Sequence, residues 1–421
     1  MRPDPIFSGR GAEGSRMSDT PRLPVVVIPN VGQSVLANIK DGQTTRVWPP
    51  VVDSDRLIDR LKAPILKMML FRRDAGFSDA VSDVVREVLE PLATRTDGCM
   101  RTPVTPVPFA ASYEAADEGG KNRMGRVFAA NILADAVGGE NVRVFAYNFI
   151  LPPEENAVLL DAFLDTVAAG AGTERVNLLC LGFGSAVLQA YVAAFGAKNR
   201  IANAVCVAPA FEGSPVVSAL LEKRLNTSEL PQLLTRFAGQ KTAESAKGLI
   251  AMLPANVMES TARTALDTAL DTALEHSAAF WAFVPPADYP AFAGARLSAG
   301  QVRYLREKTD RFRADAAQFQ TKAAETEAAG ARFFAVYGAG APILPVFDVP
   351  ACDSDGVVPC PDAGAACSPV PPERIWRMDG VRHDALAHDG DVMALAGRIF
   401  NGEISSNIDG MNSPGEEEKL I

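Results

Sequence analysis

Arg175–Gly196 reads RVNLLCLGFGSAVLQAYVAAFG: a run apolar but for Asn177, a phenylalanine between two glycines, then apolar residues at helical spacing. A run of this kind suits a strand buried on both faces, and such a strand needs helices above and below it. The pattern recurs along the chain. Leu23–Ile28 (LPVVVI) ends at Pro29-Asn30-Val31-Gly32, and Asn141–Phe149 (NVRVFAYNF) leads through Pro152 and Pro153 into the helical stretch EENAVLLDAFLDTVAAG. Ala202–Ala208 (ANAVCVA), Arg332–Tyr337 (RFFAVY) and Arg374–Met378 (RIWRM) complete the strands. Strands alternating with helices predict an α/β fold, a mostly parallel central sheet with helices on both faces.

The boundaries follow from composition. Residues 1–22 mix Pro, Gly, Ser and both charge signs, and read as a flexible lead with no apolar secretory core; Met17 is as good a start as Met1. Residues 23–401 read as one domain, and residues 402–421, ending SPGEEEKLI, as a disordered acidic tail. Within the domain, about 211–330 is rich in Ala, Leu, Glu and Lys and reads as a helical cap insertion. Its run TALDTALDTALEH, Thr264–His276, places Leu266, Leu270 and Leu274 on one side, which packs on the core or, in the sharper reading, faces lipid.

Charge and cysteine usage exclude several classes. A net charge of −10 and a pI near 5.0 argue against nucleic acid, because phosphate binding needs a basic face. No run approaches the ~18 apolar residues of a membrane span, so the expected compartment is the cytoplasm. Six cysteines in 421 residues are no disulfide framework, and Cys352, Cys360 and Cys367 share a Pro/Gly-rich loop at spacings that match no compact zinc pattern. No metal site is expected there.

In a sheet of this kind, ligands sit beyond the carboxyl ends of the strands. The loops there are Pro29–Ser34, whose backbone N–H groups could serve an oxyanion, Cys180–Ser185 at a strand-to-helix turn, Asp353–Val358, and the segment holding His383. An acid followed by a histidine after the last strand repeats the Ser, Asp, His chain order of the α/β-hydrolase fold, whose serine sits in a G-x-S-x-G turn.

Several stretches together resemble the lecithin:cholesterol acyltransferase-like family, which includes lysosomal phospholipase A2-type enzymes. PVVVIPNVGQSVLANI resembles its opening strand and oxyanion turn, with Trp48 where the family has a tryptophan shortly afterwards. FAYNF, CVAPAFEGSP, AFWAFVPPADYP, VYGAGAPILP and DSDGVVP resemble, in order, a YDW-type strand end, a TPFxGSP loop, a proline-rich cap segment, a YGxGxPTP strand end and a DGDGTVP turn. The matches span roughly residues 24–400. The resemblance implies an α/β-hydrolase fold and a lipid or acyl ester as partner, with O-acyltransferase or phospholipase activity. It implies no cofactor and no metal, and it names no protein partner.

Carried over residue by residue, the family's catalytic aspartate falls on Asp355 and its histidine on His383, within HDALAHDGDVMALAGRIF. Asp353 is the weaker alternative acid, and His388 reads as a helix-start residue. Asn30, Val31 and Gly32 form the oxyanion-type loop. The nucleophile is the departure: Cys180 falls on the first glycine of the turn, Gly182 on the serine and Gly184 on the last glycine. Glycine cannot attack a carbonyl, and losing the serine of a triad costs about 10⁶ in rate. The sequence therefore implies a lipid-binding pseudoenzyme; the alternative is an active ester hydrolase or acyltransferase in which Ser185, Cys180 or Ser34 works with Asp355 and His383. The other roles of these residues are a helix N-cap for Ser185 and a buried strand position for Cys180.

Overall fold

The computed structural model describes residues 22–50, 54–229, 254–362 and 369–407. Met17 with nearly all of the 1–22 lead, Cys367, and the tail beyond residue 407 lie outside the described residues.

All six apolar runs are strands of one sheet: β1 (Val25–Ile28), β5 (Val142–Val144), β6 (Val176–Leu181), β7 (Ile201–Val207), β8 (Arg332–Ala339) and β9 (Ile375–Asp379). They lie in the order β5-β1-β6-β7-β8-β9, and every pairing is parallel. Burial on both faces shows in the alternation along the inner strands. Val26, Ile28, Leu178, Cys180, Phe333 and Ala335 enter one core cluster, while Val25, Val27, Leu179, Leu181, Phe334 and Val336 enter the other. The first face is covered by α5 (Pro153–Ala171), α6 (Gly184–Phe195) and α11 (Arg303–Ala328). The second is covered by α4 (Ala130–Val137) and α13 (Gly390–Phe400). This is the α/β architecture expected, a parallel sheet with helices on both faces.

Between β7 and β8 run α7 (Pro215–Glu222), α8 (Ala255–Ala269), α9 (Ala278–Trp281), α10 (Tyr289–Arg296) and then α11. The leucine stripe lies on α8 and the π-helical turn that continues it, Leu270–Leu274. Leu266 and Leu270 are buried against Trp281, Val284, Tyr289 and Leu305, with Leu274 packed beside them. The stripe is a packing face. Arg313 of α11 binds this layer to the core by donating to the carbonyls of Trp281, Ala282 and Val284, and burial lowers its guanidinium to about 10. Among the described residues no helix is long and apolar enough to cross a membrane.

Three features depart from the sequence reading. A second, antiparallel sheet pairs β2 (Leu36–Lys40) with β3 (Gln43–Trp48) and with β4 (Thr105–Pro106). The helices α1 (Ser54–Phe71) and α2 (Phe77–Leu89) follow it, and α2 packs on α8. Residues 402–407, read as the start of a disordered tail, are placed: Asn407 donates through Nδ2 to the carbonyls of Pro372 and Ile375. His388 is exposed in the turn after α12 (His383–Leu386), and Asp389 caps α13 instead.

Candidate functional site

The family-like segments are far apart in sequence and meet at the carboxyl end of the sheet. Ser214 Oγ donates to Val357 O at 2.6 Å, tying the AFEGSP loop to the DSDGVVP turn. Gly213 lies so close to the cap segment that a Cβ there would stand 2.6 Å from Phe283 O. The indole of Trp48 donates to Gly32 O at 2.8 Å, bracing the first loop from below.

The turn after β6 has the shape of a nucleophile elbow. Gly182 adopts φ +47°, its N–H donates to Val207 O of the neighbouring strand, and its carbonyl accepts from Ser185 N at 3.0 Å and Ser185 Oγ at 2.6 Å. A left-handed residue at a strand end throws its side chain out over the sheet edge, and glycine holds that conformation without a Cβ penalty. Gly184 then starts α6 against β1; a Cβ there would meet Ile28 O at 2.5 Å, so the helix can approach only because the residue is glycine.

Asp355 and His383 meet as expected. Asp355 is 1% exposed; its Oδ1 accepts from the N–H groups of Val357 (2.9 Å) and Val358 (2.8 Å), and its Oδ2 lies 2.8 Å from His383 Nδ1. The His383 N–H donates to Asp355 O at 3.0 Å, so backbone and side chain fix the same partner. Asp353, the alternative acid, points elsewhere: its carboxylate accepts from Gly340 N and pairs with Arg377, and these two contacts hold it below the usual carboxylate range.

What faces His383 Nε2 is the side chain of Asn30, at the end of β1. Asn30 Oδ1 accepts from Val31 N at 2.7 Å and from Phe183 N at 2.9 Å, while Nδ2 lies 3.4 Å from His383 Nε2. Two N–H donors converge on one atom of the carboxamide, so that atom is the oxygen, and the amide nitrogen is left to the imidazole. Nε2 is then the acceptor, and the ring proton sits on Nδ1 towards Asp355. A Cβ added to Gly182 would lie 2.4 Å from Asn30 Cγ and Oδ1 and 2.5 Å from Nδ2. The carboxamide therefore fills the space above residue 182, and its oxygen sits on the two N–H groups, one after the elbow and one in the first loop, that would serve an oxyanion.

This loop is held firmly. Gln33 Oε1 accepts from Asn30 N at 2.6 Å, and its Nε2 donates to Val127 O at 3.1 Å. Tyr147, fully buried, donates to Pro29 O at 2.6 Å; burial raises its phenol well above the ordinary value. Gly32, expected with Asn30 and Val31 in the oxyanion-type loop, serves instead as the turn residue, at φ +78°.

The alternative nucleophiles are engaged elsewhere or buried in the sheet. Ser185 Oγ is buried, donates to Gly182 O and accepts from Ala210 N at 3.3 Å. Cys180 is buried in β6 beside Cys206 of β7, whose thiol burial pushes far up. Ser34 Oγ is buried and accepts from Tyr147 N at 3.2 Å. None is among the groups hydrogen-bonded to His383. Among the described residues no cluster of His, Cys, Asp or Glu could hold a metal ion; Cys352 is exposed and Cys360 buried, each a free thiol.

Sequence reasoning missed two roles, the Asn30 carboxamide as occupant and the Phe183 N–H as donor. The second was open to inference, since the donor after an elbow is the next residue. The first depends on the proximity of residues 30 and 182, which no local pattern encodes.

No protein-family model matches the chain, and no curated protein matches it. Among solved structures, a chain in "The crystal structure of Tle4-Tli4 complex" is similar at a TM-score of 0.34 and 13% identity, over 90% of this chain and 98% of that one. The likeness is too distant to bear on the chemistry of this chain.

Proposed function

We propose that this chain is a hydrolase-fold protein, resembling the lecithin:cholesterol acyltransferase-like lipid enzymes, that performs no acyl transfer at its elbow and serves as a binding protein for a lipid or acyl ester. The observation that carries this reading is the Asn30 carboxamide, which stands over Gly182 with its oxygen on the Val31 and Phe183 N–H groups. Acyl transfer needs a nucleophile against the base and an empty oxyanion site. Here the base faces an amide, and the donors are taken.

A lipid-type ligand is what the resemblance to that family implies. The aromatic rings about the elbow, Phe183 packed on Phe283 with ring centroids 5.0 Å apart and Tyr147 stacked on Phe183, belong to the packing that holds the elbow, since Phe183 and Tyr147 are fully buried.

The test is to treat the purified protein with a fluorophosphonate and with a thiol-directed ester probe, His383→Ala serving as control, and to record its native mass spectrum after extraction from cells. The expected result is no covalent label, with co-purifying lipid in the native spectrum. Labelling that disappears in His383→Ala would mean a displaced nucleophile at work and would end this reading.

A further inference from the structure

Gly182 lies in the turn after β6 and Asn30 in the loop after β1. Their contact makes them one unit. Any side chain at 182 begins with a Cβ, and that Cβ would overlap the Asn30 carboxamide at 2.4 Å. A side chain at 182 therefore has to push the carboxamide off the Val31 and Phe183 N–H groups and leaves it crowded against any hydroxyl placed there, and clearing Asn30 alone leaves nothing to attack with.

The rest of the apparatus is in position. The elbow backbone keeps φ +47° and its hydrogen bond to Val207 O, with no side chain to demand either. Asp355 is clamped by two backbone N–H groups and bonded to His383 Nδ1. The N–H groups of Val31 and Phe183 already converge on one oxygen, at 2.7 and 2.9 Å. These lengths lie in the range that oxyanion donors need. Asn30 Oδ1 thus occupies a working oxyanion position, and Nδ2 takes the place of a hydroxyl against His383 Nε2.

We infer that the Asn30 side chain is an internal ligand of an otherwise assembled acyl-transfer site, and that esterase chemistry returns when Asn30 is truncated and a hydroxyl is placed at 182 together, but with neither change alone. This rests on the reading above, that the wild-type elbow is not catalytic. In the double variant Asn30→Gly/Gly182→Ser, the new hydroxyl oxygen bonds to the carbonyl carbon of an ester as His383 Nε2 takes its proton. The carbonyl π bond opens to an alkoxide, which the Val31 and Phe183 N–H groups receive. The alkoxide then re-forms the carbonyl, the ester C–O bond breaks, and the leaving alcohol takes the proton from His383. Water enters by the same route, freeing the acid and the hydroxyl.

The experiment compares wild type, His383→Ala, Asn30→Gly, Gly182→Ser, the double variant, and the double variant carrying His383→Ala. A second double variant, Asn30→Ala/Gly182→Ser, guards against loosening of the loop by glycine. Far-UV circular dichroism and urea unfolding establish which proteins are folded. Each is assayed for the rate of fluorophosphonate labelling, read by intact mass, and for hydrolysis of p-nitrophenyl butyrate.

At least one folded double variant should label at one site per chain, roughly a hundredfold faster than either single variant, and His383→Ala should abolish the gain, in line with the factor of about 10² or more that a positioned base contributes. Folded double variants that stay unlabelled would overturn the inference while leaving the non-catalytic reading of the wild type intact. Gly182→Ser labelling as fast as the double variant would also overturn it, because the carboxamide would then be no obstacle. Labelling of wild type, sensitive to His383→Ala, would instead sink the underlying reading.

Discussion

Replacing Gly182 by alanine probes the contact at the site without introducing chemistry. Alanine in the left-handed conformation costs about 1–2 kcal/mol. Its Cβ also drives out the Asn30 carboxamide, which lies 2.4 Å away, so the hydrogen bonds to Val31 and Phe183 are lost. Each is worth about 1 kcal/mol net, for a total of about 3–4 kcal/mol. Asn30→Ala loses those two bonds by itself, about 2 kcal/mol, and adding Gly182→Ala to it costs only the backbone component. Val31 is 47% exposed, so water offsets part of its lost bond. The coupling between the two sites should then be about 1–2 kcal/mol. Urea unfolding of the four proteins at pH 7 measures it. Additivity within about 0.5 kcal/mol, the usual result for independent sites, would refute the steric account.

Glu154, at the start of α5, is pushed up to about 7 by burial, with its own N–H and Arg311 offsetting only part of the effect. A carboxyl whose folded value lies above its unfolded one binds more protons when folded, so stability falls as pH rises from about 4.5 to about 7. Glu154→Gln should flatten that fall and gain on the order of 2–3 kcal/mol at pH 8 in urea titrations; an unchanged profile would show the carboxyl to be solvated. Asp355→Asn keeps an acceptor for Val357 and Val358 but turns an N–H towards His383 Nδ1. The ring proton should shift to Nε2, visible in ¹⁵N spectra of the imidazole, with Asn30 displaced and a loss of about 1–3 kcal/mol. Gly184→Ala forces a methyl against Ile28 O and should cost about 3 kcal/mol or more by thermal unfolding, because backbone cannot step aside as a side chain tip can.

The central sheet was legible because a strand buried on both faces leaves a nearly continuous apolar run, unbroken in VVVI and interrupted only by Asn177 in VNLLCL. The second sheet was not, since Gln43–Arg46 is exposed and its strands carry no such run. Its one local signal was Asp41-Gly42, whose positive φ angles (51° and 77°) form the tight hairpin turn that a DG pair favours. Asp355 and His383 could be placed from chain order and their flanking patterns, and Gly182 from the spacing of its neighbours. Asn30 was read as a backbone contributor. Its side chain matters because β1 and β6 are adjacent and in register, Ile28 opposite Cys180, which sets the ends of the two strands side by side.

The overlap of residues 30 and 182 also limits how the chain can change by single substitutions. A hydroxyl introduced first at 182 collides with the carboxamide; a carboxamide removed first leaves two amide protons and a histidine nitrogen without their partner. Either order crosses a less stable intermediate, so this chain and one with an open, armed elbow are separated by a valley in sequence space.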